Sequence, residues 1–144
     1  RLTTPELAVA AAEDLEAAVA EADVISCATL SRDPLVLGDW LRPGQHLDLV
    51  GGFTPEMRET DDAAIRRARV HVDTRAGATK EAGDIVQPLA SGLLTAEGIL
   101  ADLFDLTAGR APGRRDPSEF TLFKSTGASL EDLVAAQLVV ERAG

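Results

Sequence analysis

The stretch HLDLVGGF, residues 46–53, carries the most informative local pattern of this chain. HLDLV (46–50) is a short, largely apolar run that follows an Arg-Pro-Gly turn, and this pattern predicts a β-strand. Gly51 and Gly52 come directly after it. Glycine has no Cβ, so paired glycines at a strand end let the backbone approach another group closely. We therefore predict a strand that ends at a close contact, with the large apolar side chain of Phe53 just beyond it.

Two more strand-like segments flank this one, and helical patterns separate them. DVISCAT (23–29) is an apolar run with β-branched residues, and RVHVD (69–73) is a third short strand. Apolar spacing predicts a helix over 12–22, and a second helix over 61–68 would take Thr60 as its cap. The order helix–strand–strand–helix–strand predicts an α/β fold with a mostly parallel sheet.

The second half of the chain is predicted to be mainly helical. Helices are expected over 75–83 and 95–108, and a long helix over 129–142 with Ser129 as its cap. FTLFKS (120–125) has strand character. The loop before this segment is rich in glycine and proline, and we interpret its three arginines as solvent-exposed rather than as a phosphate site. They are Arg110, Arg114 and Arg115.

Composition limits the classes of function. A chain of 144 residues with 45% hydrophobic residues can bury a core as one domain or one lobe of a larger domain. The net charge of −10 argues against nucleic acid or an anionic membrane as the partner. No apolar run approaches the roughly 18–20 residues of a membrane span, and no leader pattern is present, so a cytoplasmic protein is expected. Cys27 stands alone, and His46 and His71 lack the spacing of a metal pair, so no metal site is predicted.

In open parallel sheets, ligands bind beyond the carboxyl ends of the strands. The residues to inspect are therefore 29–31, 50–53 and 73–74, and the paired glycines among them fit close approach to a flat or charged ligand. The chain has no G-x-G-x-x-G motif. Either the fold does not bind a dinucleotide, or the first β-α-β unit lies upstream of Arg1.

Several motifs together resemble those of the ornithine cyclodeaminase/mu-crystallin family, and they follow one another through nearly the whole chain. They are ADVISCATLSRDP (22–34), WLRPGQHLDLVGG (40–52), RETDD (58–62), VHVDTRAGATKEAGDI (70–85) and TLFKSTGASLEDLVAAQLV (121–139).

The family resemblance implies an NAD(P)-dependent protein built from a Rossmann domain and an N-terminal substrate and dimerisation domain. Residues 1–118 would be the C-terminal half of the doubly wound Rossmann sheet, and 119–144 would be a strand and a helix that return toward the N-terminal domain. That domain and the first Rossmann half would lie outside this chain. We therefore expect the full-length protein to be a homodimer and the chain alone to be inactive.

The resemblance also implies site residues. The positions assigned to the dinucleotide are Thr29, Leu30, Val50 and Ser125. Those assigned to the substrate pocket are Thr126 and Glu81, with Phe53 beside them; the catalytic residues stay unassigned. Each position has an alternative interpretation. Thr29 and Leu30 could be an ordinary strand end, and Val50 a core residue. Ser125 and Thr126 could serve the entry into a helix, which is compatible with a role at the site, and Glu81 could lie on a solvated helix face.

Phe53 separates the branches of the family. Deaminating members resemble V-G-(G/A)-D-x-P-G-K at this point, and Phe53 stands where they carry the aspartate. A carboxylate can take a proton or orient water during loss of ammonia, whereas a phenyl ring can do neither. PEMRE (55–59) is instead similar to the mu-crystallin-like and imine-reducing members.

The resemblance thus implies NAD(P)H-dependent reduction of a small cyclic imino acid, Δ1-pyrroline-2-carboxylate or Δ1-piperideine-2-carboxylate. Three alternatives stay open: ornithine cyclodeaminase, alanine dehydrogenase and a non-catalytic ligand-binding protein. The choice between NADH and NADPH is also open, because the residues that meet the ribose would lie in the other half of the domain.

Overall fold

A five-stranded parallel sheet organises the computed structural model, which describes residues 7–143. The strands are β1 (Val24–Cys27), β2 (His46–Leu49), β3 (Arg69–Val72), β4 (Ile99–Asp102) and β5 (Thr121–Lys124). Their order across the sheet is β1-β2-β5-β3-β4, and every pairing is parallel. The predicted α/β class with a parallel sheet is confirmed. Residues 1–6 and 144, which the predicted segments 1–118 and 119–144 include, lie outside the described residues.

The described part of the chain also has six helices and a short 3₁₀ helix over Gly38–Trp40; the first helix precedes β1, the last follows β5, and the others connect the strands. The helices are α1 (Leu15–Glu21), α2 (Asp62–Arg67), α3 (Arg75–Glu81), α4 (Gly83–Ala90), α5 (Leu103–Thr107) and α6 (Ser129–Ala143). The chain passes from β2 through α2 to β3, and β5 then inserts between these two strands. The last strand in sequence is therefore central in the sheet.

The two faces of the sheet differ in character because side chains alternate along each strand. One face packs against residues of α1 to α4 in a single core cluster. Its fully buried strand residues include Leu47, Leu49, Val70, Val72 and Leu122. The other face is more polar and carries Ser26, His46, Asp48, His71 and Phe123. Lys124 lies two residues after Leu122 in β5, so the alternation of side chains places this lysine on the apolar face.

Side-chain caps fix the starts of several helices. Asp61 caps α2 by accepting a hydrogen bond from the Ala64 amide at 2.9 Å. Thr60 is therefore not the cap, and its hydroxyl instead donates to the Val36 carbonyl at 2.8 Å. The Ser129 cap is also wrong, because α6 begins at Ser129 itself. For α2, the neighbouring carboxylate of Asp61 takes the capping position that the sequence pattern gave to a hydroxyl.

The helix predicted over 95–108 is wrong in its first part. The structure has strand β4 at residues 99–102, followed by α5. The pattern of Ile99, Leu100 and Ala101 is a short apolar run that fits a helix or a strand equally well. Parallel pairing with β3 stabilises the strand. Asp102 then caps α5 by accepting a hydrogen bond from the Asp105 amide at 3.0 Å.

The helix predicted over 75–83 ends earlier, at Glu81, and a separate helix α4 follows it. The sequence analysis missed α4, which contains Pro88. A proline removes a helical hydrogen bond and usually marks a helix end. Burial of Ile85 in the core compensates for this loss, since Ile85 is fully buried.

We predict that the Cys27 thiol is inert in the folded protein. Burial, with a smaller contribution from Glu59 and Asp84, raises the pKa of Cys27 to about 11. At pH 8 the thiolate fraction should be about a hundredfold smaller than for a free cysteine. The folded protein holds the Cys27 proton more tightly than the unfolded chain does. The protonated thiol therefore contributes stability that is complete below pH 9.0, the ordinary pKa of cysteine, and that is lost as the pH rises toward 11. We expect an alkylating reagent to modify Cys27 more slowly in the native protein than in urea-unfolded protein. Equal alkylation rates would contradict the prediction that the thiol is inert.

Candidate functional site

The carboxyl edge of the sheet brings three predicted cofactor residues together. Val50 directly follows β2, Ser125 directly follows β5, and Thr29 lies two residues beyond β1. Since β2 lies between β1 and β5, these positions are neighbours along the edge. The Val50 amide donates to the Cys27 carbonyl at 2.7 Å, and the Ser125 amide donates to Leu49 at 3.0 Å. The sheet thus continues as far as the residues that the family resemblance singled out.

Three apolar side chains of this edge are exposed. Leu30 is 70% exposed, Val50 is 46% exposed and Phe53 is 48% exposed. The alternative interpretation of Val50 as a core residue is therefore wrong. Exposed apolar groups beside the ends of parallel strands offer a surface for a ligand with apolar parts. We call Leu30, Val50 and Phe53 the apolar edge.

The paired glycines serve the packing of the chain against itself. A Cβ on Gly51 would collide with the Thr29 backbone and with the Glu59 carboxylate. Gly52 has φ +59, and a Cβ there would lie 2.7 Å from Asp84 Oδ2. The close approach inferred from the sequence is thus correct, but these contacts are within the protein. The interpretation of the glycines as an approach to a ligand is corrected accordingly.

A charged cluster lies buried directly beneath this edge, and its members are Glu59, Asp84 and Lys124. All three side chains are 0% exposed. Lys124 Nζ donates to the Gly51 carbonyl and lies 3.8 Å from Asp84 Oδ2. Burial lowers the pKa of Lys124 and raises the pKa of Asp84, since each charged form loses its hydration. We call these three residues the buried cluster.

The carboxylates of the buried cluster bind the backbone around them. Glu59 Oε1 accepts from the Thr29 amide at 2.7 Å and from the Thr29 hydroxyl at 2.8 Å. Asp84 Oδ1 accepts from the amides of Glu59 at 2.9 Å and Thr60 at 3.1 Å. Hydrogen bonds and the Lys124–Asp84 ion pair therefore join the loops after β1 and β2, the segment before α2, the start of α4 and the end of β5 in one network.

Asp73 organises the loop after β5. It directly follows β3 and is 1% exposed. Its Oδ2 accepts from the amides of Thr126 at 2.7 Å and Gly127 at 2.8 Å, and its Oδ1 accepts from the Thr74 amide at 2.6 Å. The Ser125 and Thr126 hydroxyls lie 3.4 and 3.1 Å from Oδ2. Both residues therefore bond Asp73 in the segment that leads into α6, so a place before a helix and a role at the cofactor site remain compatible.

Glu81 lies apart from both of these carboxylate groups. It is exposed at the last position of α3. Gly83 follows two residues later, and its amide lies 3.2 Å from the carbonyls of Gly52 and Thr54. The backbone near Glu81 thus contacts the loop that bears Phe53, but its side chain takes no part in the buried cluster. Its role in a substrate pocket stays a prediction.

The remaining sequence candidates have local roles. His46 Nδ1 lies 2.8 Å from the Thr121 hydroxyl, and burial lowers the pKa of both His46 and His71. The arginine-rich loop is exposed, as predicted, and Arg114 fastens it by donating to the Gly44 carbonyl at 2.7 Å. Among residues 7–143, no group of His, Cys, Asp and Glu side chains could hold a metal ion. Over the same residues, the helices are all too short or too polar to cross a bilayer.

Sequence reasoning missed the buried cluster, although one signal was present. Strand alternation puts Lys124 on the face of Leu122, where an apolar residue belongs. A lysine at such a position requires buried partners. Its partners Glu59 and Asp84 lie 65 and 40 positions earlier in the chain, so no local pattern identifies them.

The parallel sheet and the loops at its carboxyl edge define an α/β protein whose ligand site would lie at that edge. Residues 1–144 match the model of the ornithine cyclodeaminase/mu-crystallin family, and the chain belongs to this family.

Its relatives include reductases of imines. The chain is 45% identical over 134 residues to the Δ1-pyrroline-2-carboxylate reductase of Paracoccus denitrificans, covering 93% of this chain and 42% of the relative. It is 39% identical over 127 residues to the mouse ketimine reductase mu-crystallin, covering 88% and 38%. The Thermococcus litoralis Δ1-pyrroline-2-carboxylate reductase, solved with NADH and L-proline, superposes with a TM-score of 0.86 at 36% identity, covering 92% and 41%. The chain thus spans about two fifths of the length of these relatives.

We predict that alanine is tolerated much less well at Gly52 than at Gly109. Both glycines have positive φ, +59 and +67, so alanine should cost about 1–2 kcal/mol of stability at either position. At Gly109 a Cβ meets nothing within 4 Å, whereas at Gly52 it meets Asp84. Gly52→Ala should therefore cost roughly 1–3 kcal/mol more. Urea unfolding of the two variants measures the difference, and equal costs would contradict the packing role.

Proposed function

We propose that the protein to which this chain belongs is an NAD(P)H-dependent reductase of small cyclic imino acids, with Δ1-pyrroline-2-carboxylate as the preferred substrate. In this proposal, residues 1–118 form the C-terminal half of a dinucleotide-binding domain, and 119–144 return toward a substrate domain. The relatives that reduce imines support the activity. The observation that carries it is the convergence of Thr29, Val50 and Ser125 beside an exposed apolar edge.

The chemistry of this edge fits a nicotinamide ring, which is flat, largely apolar and bears one carboxamide. Leu30 and Val50 offer exposed apolar side chains, and Ser125 offers a hydroxyl at the end of the adjacent strand. When bound, NAD(P)H supplies the hydride for the reaction. The residues of this chain contribute binding and orientation: Leu30 and Val50 would pack against the ring, and Ser125 would form a polar contact.

Phe53 favours reduction over deamination. Its side chain belongs to the apolar edge and is half exposed, so it is free to form one wall of a substrate pocket. An iminium carbon is already electrophilic and needs no carboxylate at this position to accept a hydride. Loss of ammonia from ornithine does need a proton acceptor, and Phe53 cannot provide one. We assign Thr126 and Glu81 to the same pocket, Thr126 through its place beside Ser125.

Helix α6 has the properties of a segment that contacts another part of the protein. None of its described side chains is buried, although Leu130, Val134 and Leu138 are apolar. These residues line a cleft of about 540 Å³ together with Phe104. We propose that this apolar side of α6 meets the substrate domain of the complete protein, which would function as a homodimer.

The direct test is an assay of the protein expressed from its complete reading frame. We expect NAD(P)H oxidation with Δ1-pyrroline-2-carboxylate and proline as the product. Ornithine with NAD⁺ is the matched comparison, and we expect no ammonia from it. Ammonia release from ornithine at a rate comparable to imine reduction would contradict the proposal, as would the absence of NAD(P)H binding.

Phe53→Asp tests the pocket wall. We predict that imine reduction falls at least about tenfold, because a charged carboxylate replaces an apolar wall. Cyclodeamination should not appear, since one carboxylate does not rebuild a deaminase site. Phe53→Leu is the control and should keep most of the activity, because it preserves an apolar surface. A Phe53→Asp variant that reduces the imine as fast as Phe53→Leu would contradict the assignment.

A further inference from the structure

We propose that Lys124, with Asp84 and Glu59, is a positioning residue that holds the loops of the carboxyl edge in place for the cofactor and substrate. The inference rests on the proposed function for the identity of the ligand. It assigns a role in that function to three side chains that never contact solvent. The buried cluster would act on ligands only through the backbone that it binds.

The contacts of the buried cluster coincide with the predicted cofactor positions. Lys124 directly precedes Ser125, and its ammonium group binds the carbonyl of Gly51, which directly follows Val50. Glu59 binds both the amide and the hydroxyl of Thr29. The cluster therefore binds Thr29 directly. Val50 is adjacent to Gly51, whose carbonyl the cluster binds, and Ser125 is adjacent to Lys124, a member of the cluster. A shift of the cluster would move all three.

Asp84 links the other two members. Its Oδ1 accepts from the Glu59 amide, and its Oδ2 faces the Lys124 ammonium at 3.8 Å. The same Oδ2 blocks any side chain at Gly52, so it also fixes how close the loop of Phe53 comes to α4. Asp84 thus contacts the loop that bears Phe53 as well as the other two members of the cluster.

Stability alone does not account for this arrangement. Burying charges is costly because each ion loses its hydration, and replacing a buried ion pair by apolar residues is often neutral or stabilising. The cluster is also incompletely bonded: among the described residues, Glu59 Oε2 and Asp84 Oδ2 are buried without a hydrogen-bond donor. A costly network that joins several loops serves to specify one geometry, and here that geometry is the ligand edge.

The chain offers a matched control at the opposite edge of the sheet. Gln45 directly precedes β2 and, like the members of the buried cluster, is 0% exposed. Its Nε2 donates to the carbonyls of Val19 and Ala22, both at 2.6 Å, and its Oε1 accepts from the Arg42 amide at 2.7 Å. These contacts join the end of α1 to the loop before β2, at the amino end of the strands and away from the ligand edge. Loss of the Gln45 side-chain amide should therefore reduce stability without changing the ligand edge.

The test compares Lys124→Met with Gln45→Met in the protein expressed from its complete reading frame. We expect Lys124→Met to raise the dissociation constant for NADH at least about tenfold at a temperature where the protein is fully folded. Gln45→Met should lower the melting temperature and leave NADH binding unchanged. If Lys124→Met does not fold, Lys124→Met/Asp84→Asn removes both charges while it keeps an acceptor for the Glu59 amide.

Conservative replacements at Glu59 provide the rescue. Glu59→Gln keeps an oxygen acceptor for Thr29 and should retain NADH binding, whereas Glu59→Leu should weaken it as much as Lys124→Met. If the role of the cluster were purely structural, the variants would differ in melting temperature, but the folded molecules of each variant would bind NADH equally well. NADH binding that changes only as far as the melting temperature changes would overturn the inference.

Amide hydrogen exchange separates this inference from the proposed function. In the Lys124 variants, exchange should accelerate at residues 29–30 and 50–53 and stay unchanged at 42–46, at the amino end of β2. If wild-type protein fails to bind NADH, the proposed function fails, and exchange alone decides whether the cluster holds the edge. Unchanged exchange at 50–53, or equal acceleration throughout the chain, would overturn the inference.

Discussion

The bond from the buried ammonium of Lys124 to the Gly51 carbonyl is the interaction on which the carboxyl edge depends. It joins the central strand β5 to the loop after its neighbour β2. A desolvated lysine is expensive, so it requires the nearby carboxylate of Asp84 and leaves no room for a side chain at Gly52. The burial of Asp84 and the need for glycine at position 52 both accompany this one buried cation.

The same edge shows how a simple fold positions chemistry. Parallel strands bring residues that are distant in sequence to one line, and each strand then needs only a short loop to present a side chain. Asp73 does this for the loop after β5 by accepting the amides of Thr126 and Gly127. Rigid backbone contacts of this kind suit a site that must orient two reactants, since orientation supplies much of the advantage when a cofactor carries the chemistry.

The sequence predicted the sheet class and four of the five strands, because β1, β2, β3 and β5 are apolar runs with clear boundaries. It missed β4, because Ile99–Asp102 fits either a strand or a helix until pairing with β3 decides. It could not identify the buried cluster, since Glu59 and Thr29 are 30 residues apart and Lys124 and Gly51 are 73 apart. Contacts over such distances depend on the fold. The glycines were recognised as points of close approach, but their partners could not be read from local sequence.

We propose that NADH is recognised where the buried cluster holds the carboxyl edge. The most direct measurement is a titration of isotope-labelled protein, from its complete reading frame, with NADH while the backbone amide resonances are followed. We expect the largest shifts at Thr29, Leu30, Val50 and Ser125, and we expect Arg42 and His46 at the opposite edge to stay unchanged. Shifts confined to the opposite edge, or absent from the four residues while NADH binds, would contradict it.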